Sequence, residues 1–149
     1  MACSYATTPM PSSPDPAAAL RSAKTIAVVG CSPRAFQTSH RIARYIQDAG
    51  FAMIPVNPHH DEILGVTAYP DLVSIPDDVE IDIVDVFRRS EFTADVVRDA
   101  ADRAERTGQR PVIWTQLGVS SPEAERLAKD AGLPYIVNRC LMVDHAALV

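Results

Sequence analysis

Five short stretches of the chain are dominated by apolar residues: Ile26–Val29, Phe51–Val56, Ile81–Phe87, Val112–Thr115 and Tyr135–Val137. Their length and near-continuous apolarity predict strands covered on both faces, as in a parallel sheet. Between them the apolar positions take up helical spacing. Ile42, Ala43, Ile46 and Ala49 mark one face of a helix over Ser39–Ala49, with Gly50 placed to end it. Ser90 is the expected N-cap of a longer helix running to about Arg106, with Glu91 in its first turn. Phe92, Val96, Ala100 and Ala104 form its expected buried stripe. The pairs Asp95–Arg98, Asp99–Arg103 and Asp102–Arg106 are expected on its solvated face. Ser121 and Pro122 open a further helix whose Ala124, Leu127, Ala128 and Ala131 point inward until Gly132 stops it. Between Pro70 and Pro76 there is room for one turn, Asp71–Ser74.

Strands alternating with helices through short connections predict an α/β fold with a doubly wound parallel sheet of about five strands and helices on both faces. In chain order the expected strand arrangement is 3-2-1-4-5. A ligand crevice should then lie beyond the carboxyl ends of the strands, where the winding reverses between strands 1 and 4. Residues 1–19 are rich in Pro, Ser, Thr and Ala and are expected to be a flexible tail, with a helix from Asp15 onward and Pro16 in its first turn. Residues 20–149 form the domain.

The 149 residues suffice for one domain with a real core. A formal net charge of -5 and the lack of any basic stretch exclude a nucleic-acid surface. No apolar run approaches the roughly 20 residues that span a bilayer, and the first residues lack the pattern of a secretion signal. Cys3, Cys31 and Cys140 have no metal-type spacing, which fits free thiols in a cytoplasmic protein.

The candidate chemistry centres on Lys24–Ser39, a strand, a turn at Gly30, a polar loop and the start of a helix. Gly30 lets the backbone turn sharply and lets a ligand come close, and the helix start offers free N–H groups to an anion. The carboxyl-end rule gathers the remaining rim: Val56-Asn57-Pro58, Phe87-Arg88, Gln116-Leu117-Gly118 and Asn138-Arg139-Cys140. This rim holds no carboxylate pair for acid–base work and no traceable Ser–His–Asp set. An NAD(P)-binding protein is the rival reading. It is disfavoured because the G-x-G-x-x-G fingerprint is absent and Val56-Asn57-Pro58 stands where an acidic ribose partner belongs. His59-His60-Asp61-Glu62 does not read as a metal site, since adjacent loop side chains rarely converge on one ion. Asp85 is expected to be a structural carboxylate bonded to neighbouring backbone amides. Asp144-His145 reads as a helix start or surface pair. Arg88 and Arg139 suit either salt bridges or anion contacts. Cys140 lacks a histidine that the sequence places beside it as a base.

The set V-V-G-C-S, P-V-N-P, D-V-F-R, W-T-Q-L-G-V and N-R-C-L-M-V, running from about Lys24 to Leu148, resembles the small stand-alone CoA-binding proteins. Their Rossmann-like fold is similar to the CoA-binding domain of the succinyl-CoA ligase alpha subunit. The resemblance implies that Gly30, Cys31, Ser32 and Ser39 receive the CoA phosphates and that Val56, Asn57 and Pro58 lie along the adenosine. It implies that Phe87, Arg88, Gln116, Gly118, Asn138, Arg139 and Cys140 line the pantetheine arm or brace the rim. Two departures stand out. Relatives usually have Ala or another small residue at the position of Cys31, and often a Lys or Arg after the N-P pair, where this chain has His59 and His60. If His59 meets a phosphate, CoA binding should strengthen as pH drops through the imidazole range. The related ligases carry a further domain with a phosphorylated histidine, and this chain ends where that domain would begin. The chain is therefore expected to bind CoA or acyl-CoA without activating an acyl group, with a protein partner or self-assembly left open. The alternative is an enzyme, a transferase or thioesterase using Cys140 with or without Cys31.

Overall fold

The structure is a computed structural model that describes residues 14–149. Cys3 and the proline-rich start of the expected tail lie outside the described residues. Helix α1 (Pro16–Ser22) is capped by Asp15, whose side chain accepts from the Ala17 N–H at 3.1 Å, and it buries Leu20. The rest alternates as expected: β1 (Thr25–Val29), α2 (Thr38–Asp48), β2 (Ala52–Val56), a small hairpin of β3 (Glu62–Ile63) and β4 (Val66–Thr67), and a 3-10 turn (Leu72–Ser74). Then come β5 (Ile83–Val86), α3 (Ser90–Thr107), β6 (Val112–Thr115), α4 (Pro122–Asp130), β7 (Tyr135–Ile136) and α5 (Leu141–Ala146).

The α/β class, the parallel pairing and the five-stranded sheet match the sequence reading, but the strand order differs. The sheet runs β2-β1-β5-β6-β7, so its third strand in chain order pairs directly with β1, with Val28 opposite Asp85, instead of lying beyond β2. Pro55 supplies the reason. Alternate residues of β2 face β1, and Pro55 faces the outer edge, where its carbonyl accepts the Tyr69 N–H at 3.1 Å. On that edge it has no N–H to give, so a further full strand cannot pair there. A single bridge between Val56 and Tyr69 is all that forms. The point where the winding reverses therefore falls between β1 and β5, one strand nearer than the sequence suggests.

Each face of the sheet buries its own core. Val29, Val84, Val86 and Ile113 pack under α3 and α4, whose Ala100, Ala104, Ala124 and Ala128 let the helices approach closely. Ile26, Val28, Ile83, Trp114 and Ile136 pack under α1, α2 and α5. Ser121 caps α4 as expected, accepting the Ala124 N–H at 3.1 Å. In α3 the cap position belongs to Arg89 and Ser90 is the first helical residue. Only Asp95–Arg98 of the three expected charge pairs forms, at 2.7 Å. Arg106 turns to Asp77, and Arg103 turns inward, buried, to the carbonyls of Pro76 (2.7 Å) and Val79 (2.8 Å). The loop over that end of α3 presents carbonyls outside any ladder, and the guanidinium fork joins the Val79 N–H and the Gln109 amide in satisfying them. No helix among the described residues is long and apolar enough to cross a membrane.

Candidate functional site

β1 ends at Gly30, which has φ +85°. A Cβ here would stand 2.9 Å from the Phe87 carbonyl oxygen, so only glycine lets β1 and β5 close at their carboxyl ends. The Gly30 N–H also reaches the Val56 carbonyl at 2.9 Å, joining three strand ends at one point. From there the loop is held in place by its own side chains. The Ser32 N–H donates to the Ser39 hydroxyl (2.9 Å), the Arg34 N–H to the Ser32 hydroxyl (3.1 Å), and His40 Nδ1 lies 2.9 Å from the Ser32 carbonyl. Asn57 braces the loop from β2: its amide donates to the Cys31 carbonyl at 2.9 Å, and its side-chain oxygen accepts the His59 N–H at 2.8 Å. No side chain caps α2, so its first N–H groups remain open toward this loop. Cys31 is buried and burial pushes its thiol up to about 12, so it is not a thiolate.

At the other end of the rim the segments are stitched together. The Gly118 N–H donates to Asn138 Oδ1 (3.2 Å), and Asn138 takes φ +54°. The Arg139 N–H donates to the Thr115 carbonyl at 3.1 Å, and the Arg139 carbonyl accepts the Trp114 indole N–H at 2.9 Å. Gln116 is buried and accepts the Leu141 N–H at 3.1 Å, which fastens α5 to β6. The Arg139 guanidinium is paired with Asp144 at 2.7 Å, whereas Arg88 stacks 5.1 Å over the Phe92 ring. Among the described residues Arg88 has no carboxylate partner. Cys140 is half-buried at the N-cap of α5, and the histidine of that helix, His145, is hydrogen-bonded to the Tyr45 hydroxyl at 2.8 Å. Exposed His59 and His60 belong to no metal-type cluster among the described residues.

A cleft of about 80 Å³ opens beside the ends of β1 and β2, lined by Val29, Val56, Pro58, Phe92, Asp71 and Asp99 among others. The sequence reading found Val56 and Pro58 but not the wall opposite. Phe92, assigned to the buried stripe of α3, is 37% exposed and faces this cleft. The prolines framing Asp71 were the available signal that this segment holds one fixed course. Burial raises Asp99, and the neighbouring charges of Asp71, Asp102 and Asp95 raise it further.

Asp85 departs from the expectation of a carboxylate bonded to backbone amides. It is fully buried and neither carboxyl oxygen has a hydrogen-bond partner. The amides around it are committed to the parallel ladders on both sides of β5, which leaves none for a side chain. Burial alone pushes its carboxyl well above the usual carboxylate range.

A doubly wound parallel sheet with a glycine turn and an open helix start at its reversal point is the architecture in which nucleotide-type ligands are commonly bound. The chain belongs to the CoA-binding domain family, whose model matches residues 24–146. It is 43% identical to the Bacillus subtilis protein YneT over 127 residues, covering 85% of this chain and 89% of that one. A protein of Pyrococcus horikoshii has the same fold, with a TM-score of 0.81, 33% identity and 89% of each chain covered. Part of the chain is also similar to an ADP-forming acetate–CoA ligase of Archaeoglobus fulgidus, 33% identical over 61 residues, or 41% of this chain and 9% of that protein.

Proposed function

We propose that this protein binds CoA or acyl-CoA along the carboxyl-end rim and performs no chemistry on it. The observation that carries this reading is the junction at Gly30, where the close approach of β1 and β5 leaves the uncapped start of α2 facing the loop. The phosphates lie over the loop Gly30–Cys31–Ser32 and take the N–H groups of Cys31 and of the first turn of α2, because the Gly30 and Ser32 N–H groups are already held by the Val56 carbonyl and the Ser39 hydroxyl. The Ser39 hydroxyl accepts the Ser32 N–H and keeps its own O–H to donate. The adenosine lies along Val56, Asn57, Pro58 and His59 and reaches the cleft beside Phe92. The pantetheine arm runs past Phe87 and Arg88 toward Gln116, Gly118, Asn138, Arg139 and Cys140. Arg88, which has no ion-pair partner among the described residues, is the cation best placed for a phosphate, while Arg139 is held by Asp144 and braces the rim. A protonated, buried Cys31 and a Cys140 without an imidazole partner support the non-catalytic reading over a thioesterase or transferase.

Thermal unfolding with CoA, acetyl-CoA, dephospho-CoA, NAD and NADP under reducing conditions tests this. A ligand at ~100 times its dissociation constant stabilises a fold by about 2.7 kcal/mol, worth roughly 2–4 °C for each kcal/mol in a chain of this size. The expected result is a shift with CoA that weakens with dephospho-CoA. A shift with NAD or NADP and none with CoA overturns the reading.

A further inference from the structure

Asp85 stands in the middle of β5, in register with Val28 of β1 and Trp114 of β6. In-register residues of parallel strands point to the same face. Asp85 and Trp114 therefore lie side by side in the core under α2 and α5. The carboxyl of Asp85 has no hydrogen bond. The Trp114 indole spends its single N–H on the Arg139 carbonyl, the residue that joins Asn138 to Cys140 on the rim. No other charge perturbs Asp85. The other titratable groups on the elements packed against this face include the Cys31 thiol, which stays protonated, His40 of α2 at the Ser32 carbonyl, and the hydrogen-bonded Tyr45–His145 pair of α2 and α5. Natural proteins rarely keep a buried polar group unpaired without a functional reason.

We propose that Asp85 is a proton-operated latch on the rim: its ionisation draws the Trp114 indole N–H away from the Arg139 carbonyl and loosens Asn138–Cys140. A neutral carboxyl leaves the indole where it is, because the bond to Arg139 is complete. An ionised one needs a donor more than any carbonyl does, since charge-assisted hydrogen bonds are the stronger. With the latch closed, the rim keeps the arrangement that Gly118, Asn138 and Gln116 share with α5. The consequence for CoA rests on the proposed function, but the latch itself does not.

Trp114 is the sole tryptophan, so its emission reports the latch directly. Emission of the ligand-free protein should change along one transition above the usual carboxylate range, and Asp85→Asn should abolish that transition. CoA affinity, taken as the ratio of wild type to Asp85→Asn at each pH, should fall through the same transition, because the titrations of CoA itself and of all groups common to both proteins cancel in the ratio. Should Asp85→Asn not fold, Trp114→Phe serves: it lacks the N–H, and its CoA affinity should lose the Asp85-linked step. An emission curve between about pH 5 and pH 9.5 without an Asp85-dependent transition overturns the latch. If the emission transition appears and CoA does not bind at any pH, the latch stands and the CoA reading fails.

Discussion

Replacing Asp85 by Asn should reverse part of the protein's pH dependence of stability. The folded carboxyl keeps its proton at pH values where the unfolded chain has already lost it, because burial is the only influence on it. The folded state then binds more protons than the unfolded one. The contribution of Asp85 is fully present below the ordinary Asp value and is lost as pH rises through the folded value. The loss runs at about 1.4 kcal/mol per pH unit, so two units remove about 2.7 kcal/mol. At roughly 2–4 °C for each kcal/mol, wild type loses roughly 5–11 °C over those two units. Asn has nearly the same shape and carries no titrating proton. Its own unpaired amide costs a fixed amount at every pH, which offsets the curve without tilting it. Urea unfolding at half-unit steps from about pH 5 to about pH 9, under reducing conditions, gives the difference between wild type and variant. Exposed groups such as Asp77, which Arg106 holds below its usual range, cancel in that difference. The difference should grow with pH in favour of Asp85→Asn. Parallel curves would show that Asp85 ionises normally in the folded protein and would refute the reasoning.

Gly30→Ala should destabilise the fold by about 2 kcal/mol or more, because it adds left-handed strain to a 2.9 Å clash with the Phe87 carbonyl, and should abolish CoA binding; denaturation and calorimetry check the two effects. Arg103→Ala should cost roughly 2–3 kcal/mol by removing the buried guanidinium's hydrogen bonds to the Pro76 and Val79 carbonyls and to the Gln109 side chain, yet leave the CoA dissociation constant unchanged, since it lies at the other end of α3 from Arg88. Arg88→Ala should weaken CoA more than dephospho-CoA in parallel titrations if its guanidinium meets the 3′-phosphate.

The elements could be read from the chain because their signals are local. Apolar runs marked the strands, the Ser121–Pro122 pair marked the start of α4, and helical spacing marked α2 and most of α3. Strand order could not be read the same way. It depends on which edge Pro55 denies a hydrogen bond, and that is settled only once β2 has paired with β1. Arg103 and Arg106 have helical spacing to Asp99 and Asp102, and nothing nearby in sequence announces that a loop some 25–30 residues away takes both side chains instead. The rim residues were legible as strand ends, with Gly30 set by its turn. The cleft wall at Asp71 and Phe92 comes from packing between distant segments, so the sequence carries only the framing prolines as a hint. Asp85 reads as a satisfied carboxylate because buried carboxylates usually are. Its isolation appears only when every neighbouring amide is seen to be engaged in the sheet.

Backbone amide chemical shifts recorded during a CoA titration test the proposed binding mode most directly. The signals of Gly30–Ser32, Asn57, His59, Phe87–Arg88, Gln116–Gly118 and Asn138–Cys140 should move together with one dissociation constant. Shifts confined to the opposite end of the sheet, around Arg21, Lys24 and His145, or no shifts with CoA at all, would contradict it.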